Sequence, residues 1–493
     1  MNSQLQKIME TKNTAVPPRI LMIGAECAPF AKTGGLADVI GTLTRELHAL
    51  GFDIRLMLPF HRVIKDQFRE NVRHVASFSV DLGWRSQYAG IELYDWERIP
   101  VYFIDNEHYF GHALYCGGNF EGEQYAFFSR AAIEALPLIG FQPDIIHVND
   151  WHTAIIPMLL STRYDPGRQG RARTVLSIHN LLYQGRFNFG FVADLLGIQD
   201  KYFRKDCIEF HGDASFLKAG IVFADKLVTV SPTYAQEIRT PYYGEGLDGI
   251  LETRADDLTG ILNGIDTMVF NPMSDPWIPF PFDAASLPAK QKNKEALIAE
   301  LDLTIGPGTP LIGMVTRLTK QKGIDLVLRV FDEMMETGVA FVLIGTGEKN
   351  YEHFFRGIAE RTGKRAMGLT EFNDPLAHRL YAAGDFFLMP SQFEPCGLAQ
   401  MIALRYGTIP IVRATGGLRD TVVPYNEYTD EGNGFSFENY NAHDMLHTVR
   451  YALDIYQNRA RMDSLRQRAM KQDLSFQKSA LAYADLYLAT VRS

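Results

Sequence analysis

Short apolar runs recur along the chain and alternate with longer amphipathic stretches. Such runs are typical of strands buried in a parallel sheet, and the stretches between them have helical spacing. A first series of predicted strands lies at residues 19–24, 53–58, 144–148, 174–178 and 226–230, and a second at residues 311–316, 341–344, 386–389 and 409–412. A helix is predicted at residues 325–335. Strands that alternate with helices indicate an α/β fold, here in two units.

A proline-rich segment separates the two series. Five prolines within residues 271–288 exclude regular structure there, so an interdomain linker is predicted near residues 263–288. The predicted domains are an N-terminal Rossmann-like domain at residues 18–263 and a linker with a C-terminal Rossmann-like domain at residues 264–474. Residues 1–17 have no apolar segment and are predicted to form a flexible tail.

Length, charge and cysteine usage narrow the class of protein. A chain of 493 residues exceeds what one hydrophobic core usually supports. The net charge of -9 argues against a nucleic-acid or anionic-membrane partner, so any phosphate site must be a local basic pocket. The four cysteines are isolated along the chain, which favours a reducing cytoplasm. We therefore expect a cytoplasmic enzyme or binding protein without nucleic-acid or membrane partners.

Candidate chemistry is sought where strands end, because ligands of open α/β sheets bind beyond the carboxyl ends of the strands. After the first strand, Lys32 precedes the glycine pair Gly34 and Gly35 and then a helical pattern. Backbone N–H groups at a helix start hold phosphate well, and Lys32 adds a positive charge. An ordinary tight turn with a surface lysine is the alternative interpretation.

A basic loop follows a strand of the second series. Arg317 and Lys322 lie five positions apart in it and suit the neutralisation of a diphosphate leaving group without a metal. A solvated surface loop would have the same composition.

Two further loops follow later strands of the second series. Glu394 stands where a carboxylate can accept hydrogen bonds from sugar hydroxyl groups. Gly416 and Gly417 form a second glycine pair after a strand and are predicted to offer N–H groups to phosphate or sugar.

Together these segments resemble the bacterial glycogen synthase and plant starch synthase family, of which Lys-Thr-Gly-Gly-Leu-Ala-Asp-Val is the signature. Matching segments occur in family order over nearly the whole chain, at residues 32–39, 149–152, 178–181, 217–221, 229–235, 263–266, 394–398 and 406–418. The resemblance implies the glycosyltransferase type B (GT-B) fold, with two Rossmann-like domains facing each other across a deep cleft. It also implies that residues 475–493 form a C-terminal helix crossing back to the N-terminal domain.

The resemblance implies an activity as well. It implies transfer of glucose from ADP-glucose to the non-reducing-end 4-hydroxyl of an α-1,4-glucan such as glycogen, with retention of configuration and without a covalent intermediate. ADP-glucose and the glucan are thus the expected partners. The chain contains no D-x-D motif, so we expect metal-independent chemistry without a cofactor. The sequence leaves the oligomeric state open.

Roles carried over from the family fall into two groups. The catalytic candidates are Asp150, His179, Glu394, Arg317 and Lys322. The substrate-binding candidates are Lys32, Gly34, Gly35, Asp38, Asn180, Asn263, Cys396, Gly397, Thr415, Gly416 and Gly417. His179 would act through its ring or its backbone carbonyl, and Cys396 through packing or backbone contacts, since no base adjoins it in sequence.

A few positions depart from the family pattern. Phe270 and Phe476 stand where tryptophan is usual, and both keep a large apolar ring, so only packing should change. Val148 and Asn149 replace a more common alanine-histidine pair, which leaves Asp150 in place but alters the neighbouring acceptor contacts.

Two other functions fit the same fold. One is a related GT-B glycosyltransferase of the sucrose or trehalose-phosphate synthase type, using UDP-glucose or another acceptor. The other is a catalytically silent glucan-binding paralogue. The Lys-Thr-Gly-Gly-Leu segment and the short Glu394 motif count against the first, and the presence of every charged candidate counts against the second.

Overall fold

Two compact units make up the chain, and each has its own sheet. The computed structural model describes residues 3–12, 16–164 and 172–491. Unit 1 comprises Met1–Asn263 and Phe476–Ser493, and unit 2 comprises Gly264–Ser475. The chain therefore leaves unit 1 after Asn263 and returns to it at Phe476.

Unit 1 is built on a sheet that has nine strands within the described ranges. In spatial order they are Leu258–Gly260, Lys226–Thr229, Arg173–Ile178, Ile145–Asn149, Ile20–Ile23, Ile54–Pro59, Ile99–Asp105, Arg85–Trp96 and Arg73–Leu82. The first seven run parallel, and the last two pair antiparallel. All five strands predicted in the first series are confirmed. Arg186–Asn188, Asp213–Ser215 and Glu209–Phe210 form a small second sheet.

The antiparallel ribbon Arg73–Leu82 and Arg85–Trp96 is not among the predicted strands. In the second part of strand Arg73–Leu82 and the first part of strand Arg85–Trp96, exposed residues alternate with more buried ones, as in a sheet with one face toward solvent. A search for continuous apolar runs finds strands buried on both faces and misses such a ribbon.

Helices surround the sheet of unit 1. They are Ser3–Thr11, Gly35–Leu50, Arg62–Phe68, Glu107–Phe110, Gly118–Ala135, Asp150–Thr153, Ile156–Thr162, Phe189–Leu196, Phe216–Phe223, Pro232–Glu237, Asp248–Thr253 and Phe476–Thr490. The last of these buries Tyr483 and Tyr487 in the core of unit 1. No helix in the described ranges is long and apolar enough to cross a membrane.

The N-terminal residues differ from the predicted flexible tail. Helix Ser3–Thr11 buries Leu5 and Met9 in the same core as the C-terminal helix. Leu5 and Met9 are four positions apart and therefore lie on one helix face. The prediction was wrong because this single apolar pair is too short a pattern to stand out. Residues 1–2 and 13–15 lie outside the described residues.

Unit 2 contains a parallel sheet of six strands in the described part of the chain. In spatial order they are Ala366–Leu369, Ala340–Ile344, Leu311–Val315, Phe386–Met389, Ile409–Arg413 and Phe435–Phe437. The four predicted strands of the second series are confirmed. Its helices are Leu287–Glu300, Ile324–Arg329, Phe331–Glu336, Lys349–Arg356, Ile358–Arg361, Asp374–Ala383, Ala399–Arg405, Gly416–Thr421, Ala442–Tyr456 and Arg459–Met470. The helix predicted at residues 325–335 is interrupted at Val330.

Alternation along one strand shows that both faces of this sheet are covered. In strand Ala340–Ile344, Phe341 and Leu343 enter one apolar cluster, whereas Val342 and Ile344 enter another. Successive side chains of a strand point to opposite faces, so each face has its own buried layer. Unit 2 is thus a Rossmann-like layered domain.

Candidate active site

The loop after strand Ile20–Ile23 leads into helix Gly35–Leu50, and the start of that helix is exposed to solvent. The N–H groups of Gly34 and Gly35 donate no hydrogen bond within the described part of the chain. A Cβ atom built on Gly34 would meet nothing within 4 Å. Lys32 Nζ lies 2.9 Å from Asp38 Oδ1, in a partly exposed ion pair. The helix start therefore has the free donors and the nearby cation that an anion site requires.

Glu26 holds this loop in place and is absent from the predicted site. Its side chain is buried, and its Oε2 accepts hydrogen bonds from the N–H and the hydroxyl of Thr33 at 2.6 and 2.7 Å. Burial raises the pKa of Glu26, although the bonds from Thr33 oppose the shift. A carboxylate three residues after a buried strand was the sequence signal that could have identified it.

Asp150 begins the short helix Asp150–Thr153 at the end of a strand, with a left-handed φ of 53°. Its Oδ1 accepts hydrogen bonds from the backbone N–H groups of His179, at 2.7 Å, and Asn180, at 3.4 Å. Burial raises the pKa of Asp150 to about 7, and the two backbone bonds oppose that rise. The carboxyl group can therefore exchange a proton near neutral pH.

His179 follows the adjacent parallel strand, which explains why it lies beside Asp150. Its Nε2 is 2.9 Å from Asn149 Oδ1, and burial lowers the pKa of the ring to about 3. Asn180 accepts a hydrogen bond from Leu182 N at 3.1 Å through its own Oδ1. The predicted residues Asp150, His179 and Asn180 thus come together, with the addition of Asn149.

Asn263, the last residue of this part of unit 1, is buried. Its Oδ1 has no hydrogen-bond partner among the described residues. Buried amide oxygens are usually paired, so this atom is available to a ligand or a water molecule.

The basic loop of unit 2 comes together with the loop that carries Glu394. Lys322 Nζ lies 2.6 Å from Glu394 Oε2, which also accepts a hydrogen bond from the Ser391 hydroxyl at 3.0 Å. The two side chains are only 16% and 7% exposed. The strands that precede these loops are parallel neighbours, so their carboxyl ends meet at one edge of the sheet. Arg317 is exposed at the start of the same basic loop.

The glycine pair at Gly416 and Gly417 serves close packing. A Cβ atom on Gly416 would clash with the carbonyl oxygen of Glu394, and one on Gly417 with that of Cys396. The N–H of Gly417 donates to the carbonyls of Glu394 and Pro395 at 3.1 and 3.2 Å. In this structure the N–H of Gly417 thus binds the neighbouring loop, and its contact with phosphate or sugar stays a prediction.

The other candidates, Thr415, Cys396 and Gly397, lie in the two loops that make this packing contact. The N–H of Thr415 donates to the carbonyl of Arg413 at 2.9 Å, so it too is engaged within the protein. Cys396 is buried, and Gly397 has a φ of 72° just before helix Ala399–Arg405. In the described ranges, no group of three or more His, Cys, Asp or Glu side chains is arranged to hold a metal ion.

Most of the chain matches two known protein families. Residues 19–253 match the family described as the starch synthase catalytic domain, and residues 301–468 match the glycosyl transferases group 1.

Individual relatives match over nearly their full length. The glycogen synthase of Geobacillus thermodenitrificans is 50% identical over 470 residues, which are 95% of this chain and 97% of that protein. The glycogen synthase of Lachnospira eligens is 48% identical over 473 residues, 95% of this chain and 99% of that protein.

Solved structures give the same picture of the fold. The catalytic domain of starch synthase IV from Arabidopsis thaliana, bound to ADP and acarbose, superposes with a TM-score of 0.90 at 34% identity and covers 97% of this chain and 100% of that chain. A sucrose-phosphate synthase from Thermosynechococcus elongatus has a TM-score of 0.60 at 15% identity over 95% of this chain and 98% of that one, which indicates a shared fold only.

Proposed function

We propose that this chain, which belongs to the glycogen and starch synthase family, transfers glucose from ADP-glucose to the non-reducing-end 4-hydroxyl of an α-1,4-glucan with retention of configuration. Its relatives at about half identity are glycogen synthases, and its fold is GT-B, so it is a glucosyltransferase that elongates a glucan. The choice of ADP-glucose as donor, the roles of single residues and the independence from metal are the parts that we propose.

One observation carries the choice of donor. The starch synthase catalytic domain that superposes at a TM-score of 0.90 holds ADP and acarbose, a nucleoside diphosphate together with an oligosaccharide-like molecule. In the chain itself, Lys322 and Arg317 supply two cations on one loop, which suits a diphosphate. The ADP in that structure favours ADP-glucose over UDP-glucose, and the two cations favour a donor with a diphosphate.

In unit 2, we propose that the two cations bind the leaving group and that Glu394 binds the sugar. The bond between the anomeric carbon and the phosphate oxygen breaks, and ADP departs with that electron pair. Lys322 and Arg317 stabilise the negative charge that develops on its phosphate. The acceptor 4-hydroxyl forms the new bond on the same face, and its proton passes to the departing phosphate. Glu394, held by Lys322 and Ser391, orients hydroxyl groups of the glucose.

In unit 1, we propose that Asp150 and His179 bind the sugar hydroxyls. Lys32 and the N–H groups of Gly34 and Gly35 bind donor phosphate. The pKa of Asp150, raised to about 7 by burial, suits a group that donates or accepts a hydrogen bond at neutral pH. The candidates Asp38, Asn180, Asn263, Cys396, Gly397, Thr415 and Gly416 position these groups or line the site.

The reaction should need no metal ion. The sequence lacks the metal-binding D-x-D motif, and Arg317 and Lys322 supply two protein cations on one loop. Positioned charges can supply the stabilisation that such a leaving group requires.

Incorporation of labelled glucose into glycogen tests the proposal directly. ADP-glucose and UDP-glucose are offered separately, each with and without excess chelator. We expect incorporation from ADP-glucose that is unaffected by the chelator. Preference for UDP-glucose would refute the proposed donor, loss of activity with chelator would refute metal independence, and no incorporation from either donor would favour a silent paralogue.

A further inference from the structure

Asn149 contacts the ring of His179 through an amide group whose orientation is fixed by its other contacts. Its Nδ2 donates to the carbonyl oxygen of Ile23 at 3.0 Å and lies 3.2 Å from Met22 Sδ. Both of these atoms can only accept hydrogen bonds, so the NH2 end of the amide must face them. The oxygen end, Oδ1, consequently faces His179.

This orientation decides which ring nitrogen of His179 carries the hydrogen. Asn149 Oδ1 lies 2.9 Å from His179 Nε2, and an amide oxygen only accepts, so Nε2 must be the donor. Burial lowers the pKa of the ring to about 3, and the neutral ring has a single N–H. The remaining nitrogen, Nδ1, makes no hydrogen bond within the described residues and is not a fully buried atom.

Other hydrogen bonds hold the main chain of Asn149 and His179 in place. Asn149 is 2% exposed at the end of strand Ile145–Asn149, and its backbone N–H donates to the hydroxyl of Thr153 at 2.7 Å. The backbone N–H of His179 is bound to Asp150 Oδ1, so the main chain on both sides of the ring contact is fixed. Rotation of the imidazole would break its bond to Asn149 with no compensating contact from that amide.

We propose that Asn149 is a positioning residue that fixes His179 in the Nε2–H tautomer, so that Nδ1 presents a lone pair to a hydroxyl group of the transferred sugar. The sugar as ligand rests on the proposed function, whereas the tautomer does not. A lone pair attracts an O–H donor and repels a phosphate oxygen, so His179 contributes to sugar binding and Arg317 and Lys322 to phosphate binding.

An asparagine is better suited to this task than a histidine at the same position. The imidazole of a histidine donates or accepts according to its own tautomer, so it would not impose one state on His179. An amide whose NH2 group is occupied by Ile23 and Met22 offers only its oxygen.

Nitrogen NMR of the full chain with labelled histidine tests the tautomer without substrate. The signals of His179 are assigned by their loss in His179→Gln. Between about pH 6 and 8 we expect a hydrogen-bearing Nε2 and a hydrogen-free Nδ1. In Asn149→Ala both tautomers should be populated, whereas Asn149→Asp keeps an acceptor for Nε2 and should keep the preference. A hydrogen on Nδ1 in the unaltered protein would overturn the proposal.

Kinetics with a matched control test the consequence. Asn149→Ala should lower kcat about tenfold, the effect of one weakened hydrogen bond, while KM for the donor changes less than about twofold. Asn433 in unit 2 is an equally buried amide that also donates to a backbone carbonyl, so Asn433→Ala controls for loss of a buried amide. Equal loss of activity in both variants with an unchanged His179 spectrum would refute the role. If neither donor supports transfer, the proposed function fails, but the spectra still decide the tautomer.

Discussion

Units 1 and 2 both place polar side chains at the ends of parallel strands, but the charge states of these side chains differ between the units. In unit 1, burial keeps His179 neutral and raises the pKa of Asp150 to about 7, so Asp150 is only partly ionised at neutral pH. In unit 2, Lys322 and Glu394 form a buried ion pair at 2.6 Å. The unit 1 residues are a neutral ring and a partly ionised carboxyl group, whereas the unit 2 residues carry opposite full charges.

The difference follows from the partners that each unit supplies. Within the described residues, Asp150 accepts hydrogen bonds from two backbone N–H groups, which stabilise its charge less than burial destabilises it. Glu394 receives an ammonium group and a hydroxyl, so its charge is paired where it is buried. Neutral donors and acceptors suit sugar hydroxyls, and paired charges suit a site that must accommodate a charged leaving group.

The largest effect should come from breaking the ion pair of unit 2. Glu394→Ala should lower kcat/KM at least about 100-fold, because a positioned group near the reacting sugar is lost. It should also lower the free energy of unfolding by about 3 kcal/mol, since Lys322 is left without its partner. Labelled-glucose transfer and denaturant unfolding measure the two effects.

The double variant Lys322→Ala/Glu394→Ala separates catalysis from stability. It leaves no unpaired charge, so it should recover at least about 1 kcal/mol of the stability lost in Glu394→Ala while remaining inactive. If the double variant were less stable than Glu394→Ala by the full effect of Lys322→Ala, the two charges would not be coupled in the folded protein.

An effect of the opposite sign, a gain in stability, is expected in unit 1. The pKa of folded Asp150, about 7, lies above its unfolded value near 4, so the folded protein binds more protons between these values. Its free energy of unfolding therefore falls as pH rises through that window and stays lowered above it. Asp150→Asn removes this loss and keeps an oxygen acceptor for the two N–H groups.

Unfolding at several pH values tests this sign. Relative to the unaltered protein, Asp150→Asn should gain up to about 4 kcal/mol between about pH 4 and 7 and no more above pH 7. Asp150→Ala, which also loses the acceptor, should be less stable than Asp150→Asn at every pH. A difference that does not depend on pH would mean that the carboxyl group has the same pKa in the folded protein as in the unfolded chain.

The sequence predicts the strands and the candidate residues of the two units better than it predicts which of these residues contact each other. Continuous apolar runs identify the parallel strands, and the residues just after them include Asp150, His179, Lys322 and Glu394. The pair Lys322–Glu394 joins residues 72 positions apart, and its contact depends on which strands are neighbours in the sheet. The same holds for Asn149 and His179, 30 positions apart. Local patterns contain no strand order, so these contacts required the structure.

Glycine pairs illustrate a second limit of the sequence. Gly34–Gly35 and Gly416–Gly417 both follow a strand and precede a helix, and the same phosphate-binding interpretation is given to both. In the structure Gly34 faces open space, whereas Gly416 and Gly417 are packed against the loop of Glu394. Whether a glycine is needed for a ligand or for a neighbouring backbone depends on what lies opposite it.

The smallest effect should come from the exposed ion pair beside Gly34. Lys32 and Asp38 have side chains 38% and 31% exposed, so Lys32→Met should change the free energy of unfolding by less than about 0.5 kcal/mol. If Lys32 contacts donor phosphate, KM for ADP-glucose should nevertheless rise several-fold, and the rise should shrink at high salt because exposed charges are screened. Asp38→Asn is the matched control, because it removes the same ion pair but leaves the cation. A rise in KM of equal size in both variants would assign the effect to the ion pair, and a rise only in Lys32→Met would extend the charged part of the site to unit 1.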